Sequence, residues 1–106
     1  MSVKEATRED FWDLIDVGTV LVDVWSEQCQ PCVKLAPHLE QLAEEYAELT
    51  VVKLEAPKAR RVCMELKVMG LPTLLLFRDG EEVDRITDPD LDARAVRSWL
   101  NEHFEQ

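Results

Sequence analysis

One stretch constrains this chain more than any other: Thr19-Val20-Leu21-Val22-Asp23-Val24-Trp25, followed within six residues by a change of hydrophobic period. The run is β-branched and nearly all apolar, so it reads as a central strand covered on both faces. From Pro31 onward, Cys32, Leu35, Leu39, Leu42 and Tyr46 fall at steps of three and four, the apolar stripe of a helix ending near Ala47. A buried strand that hands over directly to a helix calls for an α/β arrangement, because each face of its sheet must be covered.

The remaining segments fit that frame. Thr7-Arg8-Glu9-Asp10 resembles a capping box with Asp in place of Glu, and the spacing of Phe11, Leu14 and Ile15 predicts a helix over about Arg8 to Asp16, ended by Gly18. Thr50 to Leu54 reads as a second strand and Ala59 to Val68 as a third helix, ended by Gly70. Thr73 to Phe77 is an apolar strand, and Asp79-Gly80 favours a type I′ turn into a strand over Glu82 to Ile86. Asp92 can cap a last helix with the stripe Val96, Trp99, Leu100 and Phe104. Pro37 lies inside the long helix, where its missing N–H is expected to kink it. The order α, β, α, β, α, β, β, α calls for a mixed sheet of four to five strands with helices on both faces. With 106 residues and no repeat or linker, one domain over 1–106 is expected.

Charge narrows the partners. Twelve Lys and Arg against 22 Asp and Glu leave a net charge of −10, which repels phosphate backbones and anionic lipid surfaces, so neither nucleic acid nor membrane is expected. The longest nearly apolar run, Val17 to Trp25, falls far short of the roughly 20 residues that span a bilayer. The first ten residues mix acids and bases without an apolar stretch, unlike a secretory signal, and a cytoplasmic protein is expected. Three cysteines are too few and too odd in number for a disulfide-stapled secreted scaffold.

Cys29-Gln30-Pro31-Cys32 carries the strongest chemical signal, because it sits where strand becomes helix. Cysteines three apart at a helix start lie close enough for a disulfide. Cys29, just outside the first turn, would face free N–H groups and the positive end of the dipole, which favour thiolate over thiol. Cys29 would then attack a disulfide, and Cys32 on the inward face would resolve the product. The alternatives are two buried thiols or half of a zinc site. Asp23 alternates with Leu21 and Trp25, and a carboxylate buried there has a raised pKa and could take and return the Cys32 proton. The other reading is an edge-strand Asp facing solvent. Lys53 is the one charge in its strand and could pair with Asp23 or reach solvent. Leu71-Pro72-Thr73 opens a strand where a missing donor is tolerated. Cys63 reads as a small core residue, His38 and His103 as surface residues, and no set of metal ligands is complete.

These residues resemble the thioredoxin family over nearly the whole chain, from Phe11 to Phe104. The run Val22-Asp23-Val24-Trp25, the Cys29-Gln30-Pro31-Cys32 motif, Pro37, Lys53 and Gly70-Leu71-Pro72-Thr73 are similar to its hallmarks in type and spacing. The resemblance implies a thioredoxin fold, with Cys29 as nucleophile, Cys32 as resolving thiol, Asp23 as proton acceptor near Lys53, and Trp25 beside the disulfide. It also implies a cis Pro72, with Leu71 before it offering backbone hydrogen bonds to an extended substrate. The expected substrate-binding set is Trp25, Gln28, Gln30, Pro31, Leu71 and Pro72. Departures from the family pattern are Gln28 for Trp, Gln30 for Gly, Val33 for Lys, and Asp88 to Asp92 for a Gly-containing loop, all on the surface that meets substrate or reductase.

The leading expectation is a monomeric thiol–disulfide oxidoreductase that reduces protein disulfides through a Cys29–Cys32 dithiol. It would use no cofactor beyond that pair and draw electrons from a thioredoxin reductase or another dithiol donor. The alternative is a binding module or redox sensor that keeps the fold and serves one dedicated partner.

Overall fold

The computed structural model describes residues 3–104. Met1, Ser2, Glu105 and Gln106, the ends of the domain expected over 1–106, lie outside the described residues. The elements are β1 (Val3–Ala6), α1 (Phe11–Leu14), β2 (Thr19–Trp25), α2 (Gln30–Glu45), β3 (Leu49–Glu55), a 3₁₀ turn (Ala56–Lys58), α3 (Arg60–Leu66), β4 (Thr73–Arg78), β5 (Glu81–Thr87) and α4 (Ala93–Phe104). They form one five-stranded sheet in the order β1-β3-β2-β4-β5. β1 and β2 each run parallel to β3, while β4 pairs antiparallel with both β2 and β5.

The central strand explains the layers. Val20, Val22 and Val24 point to one face, where Phe11, Ile15, Val62 and Leu66 of the α1 and α3 segments cover them. Leu21 points to the other face, against Leu35, Leu39 and Leu42 of α2 and Val96 and Leu100 of α4. Asp23 shares the parity of Leu21 and so lies on the α2 side of the sheet. Each fully buried Val or Leu contributes about 1.5–3 kcal/mol, so both helical layers are held by the same strand.

The structure corrects several boundaries. The first strand, β1, has no counterpart in the sequence reading: Val3-Lys4-Glu5-Ala6 is short, with Lys4 and Glu5 exposed, and it earns strand geometry only by pairing with β3. The capping box forms as expected, with Thr7 Oγ1 accepting from Asp10 N at 3.2 Å and Asp10 Oδ1 accepting from Thr7 N at 2.6 Å. The regular helix that follows is nevertheless only Phe11–Leu14. α2 begins at Gln30, which puts Pro31 second rather than first, and it continues through Pro37. α3 stops at Leu66 rather than Val68, because Lys67 turns left-handed at φ 60° and Arg85 of β5 donates to the carbonyls of Leu66 and Lys67. The hairpin holds its expected type I′ geometry, with Asp79 at φ 50° and Gly80 at φ 87°.

Two further expectations change. His103 is half-buried rather than a surface residue: its Nε2 lies 2.8 Å from Asp84 Oδ2, which also accepts from Trp99 Nε1 at 2.9 Å. Cys63 lies at the edge of the core, half-buried, where burial pushes its thiol pKa up.

Candidate active site

At the end of β2 the chain turns through Ser26, Glu27 and Gln28, and the Cys29 N–H closes the turn on Ser26 O at 3.2 Å. Cys29 is the N-cap of α2, in extended backbone geometry, and its Sγ accepts from the Cys32 N–H at 3.2 Å. A Ser or Asp cap makes the same bond through oxygen. The Cys29 sulfur thus sits at the N-terminal, positive end of a 16-residue helix and takes one of its free N–H groups, that of Cys32. Cys29 and Cys32 are joined in a disulfide, with Cα atoms 5.3 Å apart. Cys32 is 2 % exposed and Cys29 half-buried, so an incoming group has access to Cys29.

Beneath α2 lies Asp23, 1 % exposed. Burial pushes its carboxyl pKa up to about 7, while the charge of Lys53 pulls the other way. Asp23 and Lys53 are register partners on β2 and β3, so the strands are neighbours as the pairing required. The two side chains nevertheless form no ion pair. The Lys53 ammonium sits 4.9 Å from the centre of the Trp25 ring, and Asp23 Oδ2 has no hydrogen-bond partner among the described residues.

The third part enters from β4. Thr73 lies opposite Val24, which brings Leu71 and Pro72 out at the same end of the sheet as Trp25 and the disulfide. The Leu71–Pro72 peptide is cis. Thr73, fully buried, donates to Gly70 O at 2.5 Å and shares a 2.8 Å hydrogen bond with Thr87, so it ties the proline loop to β5. That supporting role of Thr73 was not assigned from sequence; a hydroxyl residue directly after a strand-opening proline is the signal that could have found it. Gln28 and Gln30 are exposed, and Val33 is 45 % exposed, so these three of the four departures face solvent around the disulfide. Among the described residues no group of three or more His, Cys, Asp or Glu is placed to hold a metal ion, and no helix is long and apolar enough to cross a membrane.

A mixed sheet that presents a helix-capping disulfide above a buried carboxylate defines a site for thiol–disulfide exchange. The thioredoxin family model matches residues 2–102. A thioredoxin from Acetoanaerobium sticklandii is 39 % identical over 88 residues, covering 82 % of this chain and 84 % of its own length. One from Chlamydia trachomatis is 41 % identical over 83 residues, covering 78 % and 81 %. Among solved structures, a thioredoxin from Chlamydomonas reinhardtii superposes with a TM-score of 0.87 at 22 % identity over 98 % of both chains, a likeness of fold. A variant thioredoxin from Halobacterium salinarum gives a TM-score of 0.85 at 28 % identity over 99 % of this chain and 93 % of its own. The chain belongs to the thioredoxin family. It is a thiol–disulfide oxidoreductase, a protein-disulfide reductase whose redox group is the Cys29–Cys32 pair.

Proposed function

We propose that the reaction runs from Cys29 to Cys32 with Asp23 managing the proton. The observation that carries this reading is the unequal exposure of two bonded cysteines at one helix start. In the reduced protein, the helix N–H groups favour the thiolate of Cys29, which attacks one sulfur of a substrate disulfide and expels the other as thiolate. The product is a mixed disulfide. Cys32, buried beside it, passes its proton to ionised Asp23 and attacks the Cys29 sulfur. The second substrate sulfur leaves as thiolate, and the Cys29–Cys32 disulfide forms. Two electrons pass to the substrate, and protons from Asp23 and water complete the two thiols.

Lys53 acts through Asp23, since its charge opposes the effect of burial. Trp25 holds that ammonium over its ring and so keeps it from closing onto the carboxylate. Gln28, Gln30 and Pro31 on one side and Leu71 and Pro72 on the other form the surface that receives an extended substrate segment. The partners are protein disulfides and a thioredoxin reductase or other dithiol donor, and no further cofactor enters the cycle. The 106 residues work as one domain, as a monomer, in the cytoplasm.

Replacing Cys29 with Ser tests the assignment. Turnover of a protein disulfide should vanish, while Cys32→Ser should retain attack and accumulate a covalent adduct at Cys29. Adducts forming on Cys32 in the Cys29→Ser variant would reverse the roles. A Cys29→Ser protein that still bound its partner at full affinity, together with a wild type of negligible turnover, would favour the binding-module reading.

A further inference from the structure

Beside the disulfide runs a groove of about 310 Å³ that shares no lining residue with the cleft holding Trp25 and Lys53. One wall is Gln30, Pro31, Lys34 and His38 of α2, and the other is Pro89, Asp90 and Asp92 of the segment leading into α4. Leu35 and Leu91, 2 % and 5 % exposed, form an apolar floor. Gln30 and Pro31 are the residues between the two cysteines, so the groove is continuous with the reactive site. A substrate chain joined to Cys29 has its neighbouring residues within reach of it, at about 3.3–3.6 Å per extended residue. The volume is near the bottom of the roughly 300–1,000 Å³ of small-molecule sites, enough for one or two side chains.

The two walls differ in charge. Asp88 and Asp92 have committed carboxylate oxygens, accepting from the N–H groups of Asp90 and Ala95 at 2.8 and 2.9 Å. Asp90 is exposed at the groove wall, and its carboxylate has no hydrogen-bond or ion-pair partner among the described residues. The facing wall carries the Lys34 ammonium and the positive end of α2, so a cation in the groove is driven toward the Asp90 side. An anion near Lys34 would meet the acidic wall and a chain of net charge −10.

We propose that this groove is a specificity subsite that receives a lysine or arginine side chain of the substrate polypeptide next to the attacked cysteine. The aliphatic stem lies on Leu35 and Leu91, between Pro31 and Pro89, and the charged tip meets Asp90. The proposal rests on the reductase reading and names the substrate class it selects: disulfides flanked by basic residues. Asp90 is the specificity-determining residue, with no part in the exchange chemistry.

The test uses reduced full-length protein and disulfide-linked peptide dimers that carry two Lys, two Glu or two Ala residues on either side of the cysteine. The second-order rate constant for oxidation of the protein is read for each peptide. The Lys peptide should react faster than the Glu peptide, and Asp90→Asn should lower the Lys rate about two- to five-fold relative to the Ala rate, as an exposed ion pair allows. Glu48→Gln removes the same charge at the far end of α2 and should leave the Lys preference intact. Asp90→Lys should reverse the preference. A preference that survives Asp90→Asn, or falls equally with Glu48→Gln, comes from the field of the whole protein and overturns the subsite. A Glu preference that disappears in Lys34→Ala overturns it in favour of an anion site. Failure of the Ala peptide to oxidise the protein overturns the reductase reading itself, and the subsite with it.

Discussion

Asp23 and Lys53 are register partners on neighbouring strands, yet the lysine ammonium lies over the Trp25 ring and Asp23 Oδ2 has no hydrogen-bond partner among the described residues. Direct pairing would hold Asp23 ionised and useless as a proton acceptor at neutral pH. Complete isolation would hold it protonated. The intermediate arrangement places its pKa at about 7, the range that the proposed proton transfer requires.

That arrangement costs stability in a defined pH window. The folded pKa, about 7, lies above the usual 3.8, so the folded protein favours the protonated carboxyl. The contribution of this one group to stability is fully present below about pH 4, is lost as pH rises through about 7, and is level beyond. The full shift corresponds to at most about 4 kcal/mol. Asp23→Asn should lack this fall and exceed the wild type in denaturant midpoint above pH 7. Parallel stability curves from pH 4 to 8 would contradict the buried, partnerless carboxylate.

Lys53→Met should move the pKa of Asp23 further up, because the ammonium is what pulls it down. A carboxyl titration followed by NMR should then show its inflection above about 7. If Asp23 deprotonation gates attack by Cys32, the collapse of the mixed disulfide should slow at neutral pH and recover as pH rises. An unmoved inflection would mean that the lysine charge does not reach the carboxylate.

Thr73→Val removes a buried hydroxyl that holds Gly70 O and Thr87 together beside the cis proline. The expected loss is about 1 kcal/mol, since a half-buried carbonyl loses its partner. Thr73→Ser should keep most of the stability, which separates the hydrogen bonds from the lost methyl.

Asp84 fastens β5 to α4 by accepting from Trp99 and bonding His103, and the His103 contact lowers its pKa. Asp84→Ala should cost about 1 kcal/mol at neutral pH. A lowered folded value means that this contribution is present above the usual carboxylate range and lost as pH falls through the folded pKa. The gap between variant and wild type should therefore close in acid. A gap of constant size down to pH 3 would assign the loss to packing alone.

Much of the architecture was legible because each element states its period locally. The β-branched apolar run of β2, the stripe of α2 and the Asp79-Gly80 turn need no distant partner to be read. β1 was not legible, since Val3 to Ala6 has no apolar face of its own and becomes a strand through hydrogen bonds to β3. The end of α3 was misplaced for a related reason: Arg85, nineteen residues after Leu66, caps it from another element. His103 read as a surface residue because its partner Asp84 lies in a strand with which the sequence pattern gives it no relation.

The sequence by itself determined the cysteine pair at a strand-to-helix junction and a mixed sheet with helices on both faces, because these follow from residue type, spacing and the need to cover both faces of an apolar strand. Tertiary structure alone decided where the Lys53 charge goes, which isomer the Leu71–Pro72 bond adopts, and that the Asp90 segment forms a wall beside the disulfide. Each of those is a choice among local conformations of similar energy. Contacts from elements far away in the chain select one, and no window of sequence contains them.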